Sequence, residues 1–498
     1  MKLKVKKMDW SSGNSLICIL NTEDAARLNA HRGERISIRE IKNHKKITAT
    51  LDESLYEIKE GEIGLNYEAS KLLDAKDGMY CEVEPVAISE AVRYIKDKLD
   101  GKRLSKDQIY KIVEGITSNS LSSIELTYFV AGSYIRGLSL QETSYLTEAM
   151  YKTGDILKFD SELVVDKHCI GGVAGNRTTP IVVSIVAAAG LTIPKTSSRS
   201  ITSPAGTADA MEVIFNVELK EEDIFRVVKK TGGCMIWGGA LSLAPADDKI
   251  IRIEHPMAID SFEQMVASVL AKKKSVSSDI VLIDIPVGKY AKIKSMKEGL
   301  RLAELFRGVS KRIGLRTEVI ITKANGPIGR GIGPALEARD TLRIFENHPL
   351  APVDLKKKGI MLAGKLLELA GKANKGTGNK MAEEIMNSGM ARDKFFEIAR
   401  AQGLRVDSSS KVSLGQYKTF IRANKSGVVS LIRNDLIAYA ARIAGAPKDK
   451  GAGIYLKALR GEKVEKNQIL FELYAENMKK LNEATKYINQ NNPYLIKQ

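Results

Sequence analysis

The stretch Asp166-Lys167-His168-Cys169-Ile170-Gly171-Gly172-Val173-Ala174-Gly175-Asn176-Arg177-Thr178 follows the apolar run Leu163-Val164-Val165 and precedes an apolar pattern that starts at Thr179-Pro180. A strand, a glycine-rich turn and a helix start, in that order, form a cradle for an anion. Glycines let backbone N–H groups approach oxygens closely, and the helix N-terminus adds positive potential. Lys167 supplies a mobile cation beside them. Gly-Gly-x-x-Gly alone is equally compatible with a tight turn that binds nothing. It is not a P-loop, since no Gly-Lys-Ser/Thr closes it, and it lacks the Gly-x-Gly-x-x-Gly dinucleotide signature.

One supersecondary unit downstream, after a helix over 179–189 and Gly190, comes Ile193-Pro194-Lys195-Thr196. Residues 197–207 then read Ser197-Ser198-Arg199-Ser200-Ile201-Thr202-Ser203-Pro204-Ala205-Gly206-Thr207. Hydroxyls, a guanidinium and a glycine again fall between a strand-like run and a helix. A solvated serine loop is the alternative, but such linkers seldom carry a fixed cation between two regular elements. Two neighbouring anion-binding loops are the expectation.

Outward from these loops the chain divides into four expected regions. Residues 1–84 alternate short β-like runs (2–5, 16–20, 35–41, 46–51) with charged and glycine turns, as in a small β-rich or barrel domain. Residues 85–160, with part of 250–278, form a helical domain. Its capping boxes are Ser105-x-x-Gln108, Ser122-x-x-Glu125 and Ser139-x-x-Glu142, with Gly137 and Gly154 as stops. Residues 161–404 alternate strands (279–285, 317–322) with helices, which implies a mainly parallel sheet flanked by helices. In this region Thr179 and Pro180 serve as N-cap and first residue of their helix. Residues 405–498 are a compact α+β module. A third glycine turn, Gly326–Gly333, is expected to support the other loops. Ligands of such sheets bind beyond the carboxyl ends of strands, where both hydroxyl-rich loops fall.

Composition narrows the function only by exclusion. In 498 residues no apolar run approaches the roughly 20 needed to span a bilayer, and the basic, alternating start has no secretory h-region. Cysteines at positions 18, 81, 169 and 234 lack C-x-x-C spacing, which fits reduced thiols in a cytoplasm. The five histidines form no metal-ligand pattern. A net charge of +17 invites nucleic acid, but basic residues are dispersed and aromatics are only 6%, so stacking platforms are scarce. Small polyanionic substrates fit that charge equally well.

From about residue 85 onward the loops resemble the thymidine phosphorylase family of nucleoside phosphorylases. The resemblance rests on Lys167-His168-x-x-Gly171-Gly172, on Ser197, Arg199 and Thr207, on Ser242–Asp247 and on Ala267–Lys273. It implies a nucleoside phosphorylase/phosphoribosyltransferase-like fold. Three departures stand out: Cys169 replaces a serine, Ile253-Glu254-His255 replaces a pyrimidine-gripping arginine, and the β-rich head is additional. These features resemble the archaeal AMP phosphorylase branch, a pentosyltransferase activity. The expected reaction joins AMP, with CMP or UMP as possible alternatives, to orthophosphate and releases free base and ribose 1,5-bisphosphate.

The resemblance implies orthophosphate at Lys167, Gly171, Ser197 and Thr207. It implies AMP at Gly172, Ser198, Arg199, Ser200, Ile201, Thr202, Ser203, Thr207, Ser268 and Lys292. Asp260 is the implied acid that protonates the leaving base, although its position before Ser261-Phe262-Glu263 also suits a helix N-cap. No cofactor and no metal is expected, and neither nucleic acid nor a membrane is an expected partner. The chain is expected to be a homo-oligomer, with dimers assembled further through residues 1–84. The rivals are a pyrimidine-nucleoside phosphorylase and an anthranilate-type phosphoribosyltransferase, whose Mg²⁺ would need acidic ligands such as Asp247-Asp248.

Overall fold

Alternation builds the head: in β1 (Lys2–Lys7) Leu3 and Val5 point inward while the lysines between them stay in water. A computed structural model describes residues 1–13, 15–42, 44–86, 89–200, 203–241, 243–257 and 261–497. Two compact units divide the chain, residues 1–153 with 245–265 and residues 154–244 with 266–498.

In the first unit, β1 joins β2 (Ile17–Asn21), β3 (Arg35–Glu40), β4 (Lys46–Ser54), β5 (Glu62–Leu65) and β6 (Tyr80–Pro85). They close a barrel in the order β1-β5-β2-β4-β3-β6. Two of its pairings, β1–β5 and β2–β4, are parallel, which the alternation alone does not reveal. Short helices α1 (Thr22–Arg27) and α2 (Tyr67–Leu73) lie between strands.

Helices α3 (Glu90–Leu99), α4 (Lys106–Thr117), α5 (Ser123–Arg136) and α6 (Leu140–Lys152) follow. All three expected capping boxes form, at Ser105, Ser122 and Ser139. The last one also carries a buried ion pair: Lys98 donates to Glu142 at 2.9 Å, and the Leu104 amide donates to the same oxygen at 3.0 Å. The later helix α10 (Pro245–Met257) belongs to this unit. Its Lys249 ammonium donates to the Thr117 carbonyl at 3.0 Å and to Asn119 Oδ1 at 2.7 Å, closing the C-terminal end of α4.

The second unit is a parallel sheet with helices on its faces. Strands β11 (Arg316–Lys323), β10 (Ile280–Val287) and β7 (Val165–Cys169) pair in that order. Strands β8 (Ile193–Ser197) and β9 (Gly233–Trp237) form a second parallel pair, joined through a bridge between Val164 and Thr192. Helices α7 (Thr179–Ala188), α8 (Thr207–Met211), α9 (Glu221–Thr231), α11 (Phe262–Ser275) and α12 (Met296–Arg312) alternate with the strands. The last helices of this part are α13 (Pro334–Phe345), α14 (Val353–Leu369), α15 (Gly378–Asn387) and α16 (Met390–Ala401).

Helix α7 is apolar all round because it is covered on every side. Gly359 of α14 sits so close that a Cβ there would lie 2.6 Å from Ile181. The N-cap of α7 is Thr178, one residue before the expected Thr179, and its hydroxyl makes no cap bond. Another group has claimed it, as described below.

The C-terminal module holds β13 (Tyr417–Arg422), β14 (Gly427–Ile432), β15 (Gly453–Leu456), β16 (Lys463–Val464), β17 (Ile469–Ala475) and β18 (Tyr494–Lys497), with helices α17 (Asn434–Ile443) and α18 (Met478–Gln490). The third glycine turn supplies β12 (Gly331–Ile332), which pairs with β15 as an edge of the module's sheet. The module's core also takes in Ala174 from the first glycine loop. Module and loop are thus packed as one.

Candidate active site

Strands β10, β7 and β8 run parallel, so their carboxyl ends open side by side, and the loops that follow carry most of the expected site residues. Gly171 and Gly172 have φ of +84° and +83°, a left-handed pair that side chains rarely adopt. A Cβ on Gly171 would meet nothing within 4 Å, so the space beside it is open. A Cβ on Gly172 would lie 2.5 Å from the backbone nitrogen of Lys292. The glycine loop therefore abuts the loop after β10 and brings Lys292 to Gly172.

Asn434, at the start of α17, holds this junction. Its oxygen accepts from the Ala174 amide at 2.7 Å, and its amide nitrogen donates to the carbonyls of Gly172 (2.9 Å) and Tyr290 (3.2 Å). Behind the loop, the Ile328 amide donates to the Ala174 carbonyl at 3.1 Å, so the third glycine turn supports the first. Sequence reading missed Asn434 entirely. An asparagine opening a helix is an ordinary cap, and only the packing of the module reveals its use.

Lys167 is not the mobile cation that the sequence suggested. It points inward from β7, fully buried, and its ammonium donates to the Thr178 hydroxyl at 2.7 Å. Burial pushes its pKa down from the ordinary lysine value. An ammonium has no acceptor, so the Thr178 hydroxyl must accept here and keeps its own hydrogen to donate. Thr178 was not singled out from the sequence; its spacing from Lys167 becomes meaningful only once β7 and α7 are packed. Beside them Asn176 donates to the Cys169 sulfur at 3.3 Å, and burial raises the Cys169 thiol above its usual range.

On the next loop, the Ser197 hydroxyl is buried and has no hydrogen-bond partner among the described residues. Buried polar groups are nearly always paired, so an orphaned hydroxyl at a strand's carboxyl end suits a ligand. The Thr207 hydroxyl accepts from Arg177 at 2.7 Å, which ties the second loop to the first. Gly206 is wrapped by its own loop, since a Cβ there would lie 2.5 Å from the Ser198 carbonyl. Asp209 accepts from the Ser200 and Gly206 amides at 2.7 and 2.9 Å, and Ser203 donates to the Ala205 carbonyl at 3.0 Å.

Arg199 is strongly engaged within the protein. It makes a two-pronged pair with Glu212 (2.7 and 2.8 Å), a third bond to Glu218 (2.7 Å), and stacks over Trp237 at 4.7 Å. Glu212 holds its pKa up, while Glu212 itself is drawn down to about 2 by Arg199. The expected residues Ile201, Thr202 and Asp260 lie outside the described residues, as does Ser242. Ser268 sits half-buried on α11.

The opposite face of β7 is also charged. Asp166 pairs with Lys273 at 2.7 Å and approaches Lys195 at 3.8 Å. Burial, and then the neighbouring Lys273 and Lys195, push the His168 pKa well below its usual value, so this imidazole is neutral at pH 7. Burial pushes Lys195 down as well. Among the described residues no three His, Cys, Asp or Glu side chains converge as metal ligands.

Comparison with known proteins identifies the domains. Residues 92–154 match the helical bundle domain of the glycosyl transferase family, and residues 161–392 match its a/b domain. Residues 428–495 match the pyrimidine nucleoside phosphorylase C-terminal domain. The chain is 43% identical over 499 residues to AMP phosphorylase 1 of Archaeoglobus fulgidus, covering all of this chain (100%) and 97% of that one. It is 42% identical over 494 residues to the AMP phosphorylase of Methanococcus aeolicus, covering 99% of this chain and 97% of the relative. The crystal structure of anthranilate phosphoribosyltransferase from Thermus thermophilus superposes with a TM-score of 0.53 at 16% identity, covering 62% of this chain and 99% of that one. At that identity the likeness shows the shared fold alone. With full-length identity above 40% and family domains covering the helical, α/β and C-terminal parts, the chain belongs to the AMP phosphorylase family of glycosyl transferases.

Proposed function

We propose that this chain cleaves AMP with orthophosphate, releasing adenine and ribose 1,5-bisphosphate, with no cofactor beyond the co-substrate. The observation that carries this reading is the pairing of two donor sets at the ends of adjacent strands. Gly171, Lys167 and the Ser197 and Thr207 hydroxyls, on two loops tied by Arg177, are the set for orthophosphate; the Ser198–Ser203 loop, with Gly172 and Lys292, is the set for the 5′-phosphate. A nucleoside phosphorylase needs one tetrahedral-anion pocket, whereas a nucleotide phosphorylase needs two.

In the proposed mechanism Lys167, the Gly171 amide, Ser197 and Thr207 position orthophosphate below C1′. The Ser198–Ser203 loop, with Gly172, Ser268 and Lys292, holds the nucleotide. The bond from C1′ to N9 breaks with its electron pair going to the base, and a phosphate oxygen forms the new bond to C1′. Positive charge on the sugar in the transition state is met by the incoming anion, so orientation and electrostatics supply most of the acceleration. Asp260 protonates N7 of adenine, which leaves poorly as an anion.

The enzyme works in the cytoplasm, and it is a homo-oligomer whose dimers assemble further through residues 1–84. No helix of the described residues is long and apolar enough to cross a membrane. The test is phosphate- and arsenate-dependent release of adenine from AMP without added metal. Cleavage of thymidine or uridine in place of nucleotides, or a requirement for pyrophosphorylated ribose with Mg²⁺, overturns the proposal.

A further inference from the structure

We infer that Arg177 is a positioning residue: it sets the spacing of the two anion loops and turns the Thr207 hydroxyl outward as a donor to the attacking phosphate. The inference rests on the phosphorolysis reading and extends it to a residue that contacts no substrate. Arg177 stands at the end of the glycine loop, and its guanidinium is almost fully buried. One terminal nitrogen donates to Thr207 Oγ1 at 2.7 Å and the other to the Ala205 carbonyl at 2.9 Å. Both of these acceptors belong to the serine loop.

The remaining edge of the guanidinium is anchored. Nε donates to Glu337 Oε2 at 2.7 Å, with a second contact from the terminal nitrogen. Glu337 is itself held by the Gly333 amide at 3.1 Å, in the turn that supports the glycine loop. One planar cation therefore fixes three segments: the loop after β7, the loop after β8 and the start of α13. An ammonium concentrates its donors on a single nitrogen and cannot reach Thr207, Ala205 and Glu337 together.

Direction matters as much as distance. A guanidinium has donors and no acceptor, so the Thr207 oxygen must accept from Arg177, and the Thr207 hydrogen is left to point elsewhere. Among the described residues that hydrogen has no acceptor. Phosphate oxygens are acceptors, and a hydroxyl already polarised by a cation is a stronger donor to them. Arg177 thereby acts on the anion through Thr207.

The experiment is a double-mutant cycle between position 177 and Thr207→Val, read by steady-state kinetics and by the thermal shift that inorganic phosphate induces. In wild type, Thr207→Val should raise KM for orthophosphate about tenfold or more, the usual scale for a hydrogen bond to a charged group. Arg177→Lys should raise KM for orthophosphate at least about threefold, leave KM for AMP within about twofold, and halve or abolish the further cost of Thr207→Val. Loss of the partner would leave Glu337 buried without a cation, so Arg177→Met is paired with Glu337→Gln. That pair should fold, as judged by circular dichroism, and show the same loss of coupling.

A purely structural role would lower Tm while leaving the cost of Thr207→Val undiminished. An undiminished cost of Thr207→Val in either background overturns the inference, as does a wild-type KM for orthophosphate in Arg177→Lys. If the wild-type protein binds inorganic phosphate but does not cleave AMP, the functional reading fails alone, and the thermal-shift cycle still decides the role of Arg177. If phosphate produces no shift in wild type, the inference falls as well.

Discussion

The side-chain oxygen of Asn434 accepts a hydrogen bond from the Ala174 amide at 2.7 Å, across 260 residues of sequence. With its amide bound to the Gly172 and Tyr290 carbonyls, it holds the glycine loop and the Lys292 loop in one geometry. The C-terminal module thus reaches into the candidate site without offering a group to the substrate.

Asn434→Ala removes three bonds at once. Each partner left unsatisfied inside the protein costs about 1–3 kcal/mol, so Tm should fall and the glycine loop should loosen. We expect kcat/KM for AMP phosphorolysis to drop at least about tenfold, since small misplacements cost this much. Steady-state kinetics beside a melting curve is the check; unchanged constants would remove Asn434 from the site's support.

Gly171 and Gly172 should differ sharply under substitution although both have positive φ. Gly171→Ala meets open space and suffers only left-handed strain, roughly 1–2 kcal/mol. Gly172→Ala adds a Cβ at 2.5 Å from the Lys292 backbone nitrogen, which cannot move aside as a flexible side chain would. The Gly172 variant should be lower in Tm and less active than the Gly171 variant. The reverse order in both measurements would mean that the two loops do not abut in this way.

Asp260→Asn should lower kcat by roughly 10²–10⁴-fold, the range for losing a general acid. AMP affinity, measured by calorimetry, should change little, because the amide keeps the shape of the carboxyl. Near-normal turnover in this variant would exclude Asp260 as the proton donor.

Stability should carry the signature of Glu212. Its folded pKa, about 2, lies below its ordinary 4.5 because Arg199, and then Lys450, favour the carboxylate. A carboxyl with a depressed folded pKa stabilises above its unfolded pKa, and that contribution fades as pH falls toward the folded value. Glu212 keeps 23% of its side chain exposed, and water screens the pair, so the effect is roughly 1 kcal/mol. The Tm difference between wild type and Glu212→Gln should therefore shrink as pH falls from about 5 to about 3. A gap that stays constant over this window contradicts the assignment.

Removal of residues 1–84 should reduce the mass of the assembly while leaving phosphorolysis in place. The barrel exposes Leu55, Tyr56, Tyr67 and Leu72, an unusual number of large apolar side chains for one small domain. Light scattering reads the number of subunits from the mass, and an unchanged number rejects assembly through the head.

Elements governed by neighbours within one turn of chain were legible beforehand. The capping boxes at Ser105, Ser122 and Ser139 formed as expected, because each needs only residues three positions apart. The strands expected at 279–285 and 317–322 became β10 and β11; β10 is buried along nearly its whole length, whereas β11, at the edge of the sheet, buries only Val319. The start of α7 slipped by one residue. Thr178 is the N-cap in place of Thr179, and its hydroxyl accepts from Lys167 of β7 instead of making a cap bond.

By itself the order of residues determined the strand–turn–helix rhythm, the two hydroxyl-rich loops and the family to which they point, because these depend on spacing along the chain. Only the folded sheet decided which groups serve those loops. Arg177 meets Glu337 across 160 residues, Asn434 meets Ala174 across 260, and Lys167 is buried rather than mobile. Such partners are chosen by strand order and by the need to pair every buried charge and amide, and neither is written in local periodicity.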